Sequence, residues 1–352
     1  MAEYYEQKIS LTLSNEAYHT IESDMRIFLS TTNWAGFINS VLENFKEHSL
    51  ASIKYAVQRE QDKLIGIIDP SNNSLSPSEK RIVDKLINNY TTQLKKEMRS
   101  FPSDSGITKK IRLNNKNFDE IWCNGVSEYF DDKDFPNVGS YVKAVLEDYS
   151  RLPFARREKI IFRKTIDEIS TSIQERALIK IKYLSRMGTK STLKLKPYKI
   201  TTGKVNNYHY LVGLLYETST NTPTLFSLRI SRIVTCDKMA QHAHITKKEQ
   251  LILEEQIQRK GVPYLQGTSE TCLILLTPSG IKKYNSILHL RPQYVRITPE
   301  LNGSSIYEFD CTNEQIQNYF FQFGKDAKVL SPRDIATEFS QRYQAAYNSY
   351  AE

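Results

Sequence analysis

The chain opens with strict alternation, in which apolar Ile9, Leu11 and Leu13 are interleaved with polar Lys8, Ser10 and Thr12. Successive side chains of a strand point to opposite faces, so this pattern predicts a short strand with one face buried. Asn15 can cap a following helix in which Tyr18, Ile21, Met25 and Phe28 recur at helical spacing, and Thr31-Thr32-Asn33 ends it. A second helix carries Phe37, Ile38, Val41, Leu42 and Phe45, a stripe too wide for one neighbour and suited to a shared core. The same order returns from Lys110-Ile111-Arg112-Leu113, followed by a helix with Phe118 and Ile121. Asn137, Tyr141, Val142, Val145, Leu146, Glu147 and Tyr149 then match Asn33, Phe37, Ile38, Val41, Leu42, Glu43 and Phe45 position for position. The pattern is that of an internal duplication.

Between the copies, Glu47 to Leu64 reads as helical. Asp69-Pro70-Ser71-Asn72-Asn73 reads as a loop, and Ser76-Pro77-Ser78-Glu79 as the start of a helix through Arg81 to Arg99. From Leu178 alternation replaces helical spacing: Ile179, Ile181 and Tyr183 against Lys180 and Lys182, then Lys194, Lys196 and Tyr198 against Leu193 and Leu195. Tyr208 to Tyr216 is largely apolar, as in a central strand, and Phe226, Leu228 and Ile230 alternate with Ser227, Arg229 and Ser231. Short, closely spaced strands predict a small curled sheet or barrel. With the apolar positions inward, Lys180, Lys182, Lys194, Lys196, Tyr198 and Arg229 emerge together. After a helix around Lys248 to Arg259 comes strand, helix, strand, strand, helix, strand from Cys272 to Leu330, the split βαβ order, and a last amphipathic helix from Pro332 to Tyr350.

Charge sharpens this picture. Between Ala177 and Ile233 stand ten basic side chains and one acid, Glu217, whereas the whole chain has net charge +8; this one segment therefore holds the positive excess. Like charges gathered in one small fold repel, which favours an anionic partner. Arg186, Lys190 and Lys204 fall in predicted turns. Cys123, Cys236, Cys272 and Cys311 form no close pair, so neither a disulfide framework nor a zinc knuckle is indicated. No apolar run spans a bilayer and the first residues carry no secretory pattern, so a cytoplasmic protein is expected. His242 and His244 with Cys236 miss metal-site spacing, and Thr202-Gly203-Lys204 lacks a phosphate-binding glycine loop. No catalytic constellation can be assembled, so no enzyme activity and no cofactor are expected.

Strand, helix, turn, helix in duplicate resembles the ribbon-helix-helix family of nucleic-acid-binding proteins. The resemblance implies that the two strands pair as an antiparallel ribbon whose outward face, Lys8, Ser10 and Thr12 with Lys110, Arg112 and Asn114, would enter a DNA major groove. It also implies a phosphate held at the start of the second helix, near Asn33 or Asn137. The basic segment resembles a WYL domain, a small barrel of Sm and SH3 type. The family's Trp-Tyr-Leu motif stands here as His209-Tyr210-Leu211-Val212-Gly213, its upstream Pro as Pro197-Tyr198, and its later block as Leu228-Arg229-Ile230-Ser231-Arg232-Ile233. Tryptophan is replaced by His209, and an acid by Ser231. The resemblance implies an anion-binding groove at Tyr183, Lys196, Tyr198, His209, Tyr210, Arg229 and Arg232, next to Lys180, Lys182 and Lys194. Phe323 to Pro332 resembles the C-terminal extension of such proteins, which commonly dimerises.

The combination implies an α+β chain divided as ribbon-helix-helix unit 1 (1–50), helical connector (51–105), unit 2 (106–160), WYL domain (161–245) and a ferredoxin-like C-terminal dimerisation domain (246–352). It most resembles the WYL accessory proteins of type VI-D CRISPR systems. That implies a homodimer that binds single-stranded RNA and stimulates an RNA-guided RNase without catalysis of its own. A transcription factor using the ribbon on DNA, and an adaptor docking on an acidic protein, remain as alternatives.

Overall fold

Strands β1 (Lys8–Leu13) and β2 (Ile107–Arg112) pair antiparallel, with Lys8 opposite Arg112, Ile9 opposite Ile111 and Ser10 opposite Lys110. The computed structural model describes residues 8–69, 75–101, 106–123, 135, 137–185, 188–203, 207–216, 224–265 and 269–351. Arg186, Lys204, Glu217, most of the loop after Asp69 and the turn at 218–223 lie outside them. The chain forms two units, Met1–Arg163 and Lys164–Glu352.

In the first unit, α1 (Asn15–Leu29) is capped by Ser14 rather than Asn15, because the Ser14 hydroxyl accepts from the Ala17 amide at 3.1 Å. Asn33 caps α2 (Trp34–Phe45), accepting from the Gly36 amide at 3.0 Å. Helix α3 (Ile53–Ile68) starts later than the sequence pattern predicts. A 3-10 turn (Lys46–His48) intervenes, and the Asp148 carboxylate accepts from the Ser49 hydroxyl and the Leu50 amide at 2.8 and 2.7 Å. Helix α4 (Pro77–Arg99) begins with the expected capping box of Ser76 and Glu79. The second copy continues with a short α5 (Asn115–Phe118), a π turn (Asp119–Cys123) and α6 (Val138–Arg151), capped by Asn137. Helix α7 (Phe154–Ile161) follows, and α8 (Arg163–Gln174) opens the second unit.

The duplicated positions share one core. Phe37, Ile38, Val41, Leu42 and Phe45 and their counterparts Tyr141, Val142, Val145, Leu146 and Tyr149 are all buried, beside Ile9, Leu11, Leu13 and Ile111. Each such side chain contributes about 1.5–3 kcal/mol by leaving water, which a single copy with one strand and two helices could not realise alone. The outward ribbon face consists of Lys8, Ser10, Thr12, Thr108, Lys110 and Arg112. Asn114 does not belong to it: β2 ends at Arg112, Leu113 is buried, and the Asn114 side chain caps α5 by accepting from the Asn117 amide at 2.8 Å. Thr108 takes the place opposite Thr12, the two hydroxyls lying 2.9 Å apart.

In the second unit, β3 (Ala177–Leu184), β4 (Lys190–Thr202), β5 (His209–Leu215), β6 (Leu225–Arg229) and β7 (Ile233–His242) form an antiparallel sheet in the order β6-β5-β4-β3-β7. A 3-10 turn (Ile230–Arg232) joins its two edge strands. Helix α9 (Lys247–Lys260) follows, with a 3-10 turn at Val262–Tyr264. Then come β8 (Ser269–Leu276), α10 (Pro278–Ser286), β9 (Tyr294–Pro299), β10 (Ser305–Thr312), α11 (Asn313–Phe320), β11 (Ala327–Ser331) and α12 (Arg333–Tyr350). Their sheet runs β11-β8-β10-β9 with every neighbour antiparallel, the split βαβ arrangement that the sequence order predicts. Strand β9 is an edge whose Tyr294, Val295 and Ile297 are exposed.

Candidate nucleic-acid interface

Tyr210 on β5 and Arg229 on β6 are cross-strand partners, so both side chains leave the sheet on the same face. The Arg229 guanidinium lies 3.3 Å from the centroid of the Tyr208 ring. A cation over an aromatic face is worth about 0.5–2 kcal/mol, and the stack fixes the arginine's direction. Its Nε is buried with no hydrogen-bond partner among the described residues. Arg232 is not on a strand; it sits past the end of β6 in the 3-10 turn, which returns it towards Arg229.

Both arginines line a cavity of about 360 Å³, together with Tyr183, Tyr210, Ser185 and Ser227. Leu228, Pro263 and Glu314 complete the lining, so the C-terminal extension contributes to it. Tyr183 stands edge-on to Phe226 with ring centroids 6.1 Å apart, and Tyr210 is largely buried. Two cations, two aromatic rings and hydroxyls thus converge on one concavity, suited to an anion carrying a planar group.

The other expected residues divide into two groups. Lys180 and Lys194 are opposite one another on β3 and β4, and with Lys182 they form an exposed basic patch that Asp237 of β7 adjoins. Lys196 and Tyr198 are engaged elsewhere. The β4–β5 ladder shifts register between Pro197 and Lys199, and this stretch faces the acids of α9. Lys196 lies 3.7 Å from Glu249, Lys199 donates to Glu254 at 2.6 and 2.8 Å, and the Tyr198 hydroxyl donates to Glu254 at 2.7 Å. The Lys199 hydrogen bond, then that of Tyr198, holds the Glu254 carboxyl below its usual range. Burial and the Glu254 hydrogen bond push the Tyr198 hydroxyl up to about 12. Burial pushes Glu249 up, but the Thr246 amide and hydroxyl with Lys196 and His244 hold it below its usual value. The single wall expected from strand alternation is therefore a cavity and a separate patch, with an ion-paired seam between β4 and α9. His209, opposite Thr202, does not line the cavity.

Tyr208, Ser185, Ser227, Pro263 and Glu314 were not legible as site residues. For Tyr208 a signal existed, since it directly precedes β5, two residues before Tyr210, the cross-strand partner of Arg229; Pro263 and Glu314 come from distant segments with no local mark. At the second helices, Asn33 and Asn137 direct their side chains to the Gly36 and Ser140 amides. Among the described residues no group of three His, Cys, Asp or Glu could hold a metal ion. Burial, with Glu168 and Asp237, pushes the Cys236 thiol up to about 12, which disfavours a thiolate ligand. No described helix is long and apolar enough to cross a membrane.

No family model and no curated protein sequence matches the chain. Among solved structures, a protein described as a CRISPR Cas-related protein superposes with a TM-score of 0.74 over 98% of this chain and 94% of that one, at 24% identity. The two share a fold along nearly their whole lengths. Proteasome accessory factor B/C (PafBC) of Arthrobacter aurescens overlaps at a TM-score of 0.29 over 70% of this chain and 37% of that one, at 12% identity.

Proposed function

We propose that this chain is a non-catalytic accessory protein of a CRISPR system, which binds single-stranded RNA and stimulates an RNA-guided RNase effector of type VI-D. The five-stranded sheet is taken as a WYL-type barrel and the C-terminal sheet as the contact with a second copy, where β9 exposes Tyr294, Val295 and Ile297. The observation that carries the proposal is Arg229, stacked on Tyr208, with a buried Nε that has no hydrogen-bond partner among the described residues, lining a cavity with Arg232, Tyr183 and Tyr210. A backbone phosphate meets the two arginines, while an unstacked base lies against a tyrosine. Bases locked in a duplex could not enter, so single strands are preferred. Lys180, Lys182 and Lys194 add a field that attracts the strand without specifying it. The fold shared with a CRISPR Cas-related protein supports the assignment of pathway.

Titrating labelled single-stranded RNA, duplex RNA and duplex DNA across a salt series tests this. Single-stranded RNA should bind tightest with a steep salt slope, and addition of the chain should raise cleavage by the effector; equal binding of all three would contradict it.

A DNA-binding regulator is the alternative. The exposed Lys8, Lys110 and Arg112 on the β1–β2 ribbon favour it. In that case duplex DNA binding is lost on Arg112→Glu and unaffected by Arg229→Glu.

A further inference from the structure

A second cavity, of about 210 Å³, lies against the first. It is lined by Thr201 and Thr202 at the end of β4, by Arg259 and Lys260 at the end of α9, and by Arg291 and Gln315. Pro263 lines both cavities, and the successive residues Glu314 and Gln315 line one each. The two spaces are thus neighbours on either side of one short ridge.

The second cavity gathers charged, polar and apolar groups. Gln315 is only 4% exposed, and its Oε1 has no hydrogen-bond partner among the described residues. A buried amide oxygen is rarely left unpaired in a protein interior, so such an atom marks a position where a donor is expected. Arg259, Lys260 and Arg291 line the same cavity. Arg259 is ion-paired with Asp310, and Arg291 lies 5.3 Å over the Tyr284 ring, its Nη1 donating to the Tyr284 carbonyl at 3.4 Å. Lys260 is 8% exposed, and burial lowers its pKa. Buried Val262 and Tyr264 supply an apolar wall. Three cations, an apolar wall and one acceptor without a partner among the described residues suit a nucleotide: a phosphate at the cations, a base on the wall, a base N–H to Gln315.

We propose that this cavity is a second nucleotide subsite, which takes the nucleotide adjacent to the one bound at Arg229 on the same single strand. The proposal rests on the RNA-binding assignment above. It makes the C-terminal extension part of the nucleic-acid path, with Pro263 as the ridge over which the strand passes. The extension then senses bound RNA directly.

Full-length chain with Arg291→Gln or Gln315→Leu, titrated with a labelled single-stranded ribo-oligonucleotide, tests the subsite, with Arg229→Glu as control. Both variants are expected to bind several-fold more weakly than the wild type. Arg291→Gln should also flatten the salt slope by ~0.7, one phosphate's share for a single strand. Gln315→Leu removes a buried acceptor that has no partner among the described residues, so it should unfold at the same or a higher temperature while binding more weakly. A merely structural glutamine would change the unfolding temperature and leave affinity as it was. If both variants bind like the wild type while Arg229→Glu abolishes binding, the second subsite is refuted and the first assignment stands. If Arg229→Glu also binds normally, both fail.

Discussion

Glu147 receives both the amide and the hydroxyl of Ser14, each at 2.8 Å, and so clamps the cap of the first helix of the other copy. Its counterpart Glu43 receives the Asn114 side-chain amide at 2.6 Å, at the same point of the opposite copy. The duplication is therefore reciprocal in its polar contacts as well as in its core. The two are unequal in burial, Glu147 being 2% exposed and Glu43 exposed. Glu147→Ala should destabilise the N-terminal unit by about 2–4 kcal/mol, because it strips a buried amide of its charged acceptor. Glu43→Ala should cost under about 1 kcal/mol, as for other exposed pairs. Urea unfolding measures both, and equal effects would contradict the buried clamp.

Asn114 and Arg112 separate stability from DNA contact. Asn114→Ala should cost about 1 kcal/mol through loss of a helix cap, with no change in any nucleic-acid affinity. Arg112→Glu should leave stability within about 0.5 kcal/mol and lower duplex DNA binding if the ribbon contacts DNA. Thermal unfolding paired with DNA titration reads both.

Lys180 and Lys194 face each other across β3 and β4. Like charges directly opposite in a sheet are unfavourable, and Lys194→Glu converts them into an attractive pair worth about 0.2–1 kcal/mol. Stability should hold or rise while RNA binding weakens. A variant that loses both would show that Lys194 acts in folding rather than in the basic field.

Glu254 gives the pH dependence a sign. Its folded pKa lies below its unfolded one, chiefly through Lys199, so its contribution is complete above the ordinary glutamate range and is lost as pH falls through the folded value. The melting-temperature difference between wild type and Glu254→Gln should be largest near neutrality and should close as pH falls below the ordinary glutamate range. A difference that grows on acidification would contradict the ion-paired seam between β4 and α9.

Local periodicity made the elements legible. Alternation at Lys8–Leu13 and Ile179–Tyr183, the wide stripe from Phe37 to Phe45 and its copy from Tyr141 to Tyr149 each follow from the geometry of a single element, and they are found where the pattern puts them. The same holds for the split βαβ order. Tertiary partnership was not legible. Lys196 and Tyr198 look like part of an open basic wall until α9 brings Glu249 and Glu254 against them. Asn114 has the right parity for the ribbon, but β2 ends two residues before it and a cap's hydrogen bond takes its side chain. Arg229 and Tyr210 were recognisable from their motifs, whereas Pro263 and Glu314 enter the cavity only through folding of the extension.

Binding of single-stranded RNA by Arg229→Glu tests the central claim most directly. The substitution replaces the cation stacked on Tyr208 by an anion inside the cavity, and circular dichroism verifies that the sheet is intact. Affinity should fall by at least two orders of magnitude, as when a desolvated charge contact worth roughly 3 kcal/mol is lost and reversed. An affinity equal to the wild type's, in a folded variant, would contradict the assignment of this cavity to RNA.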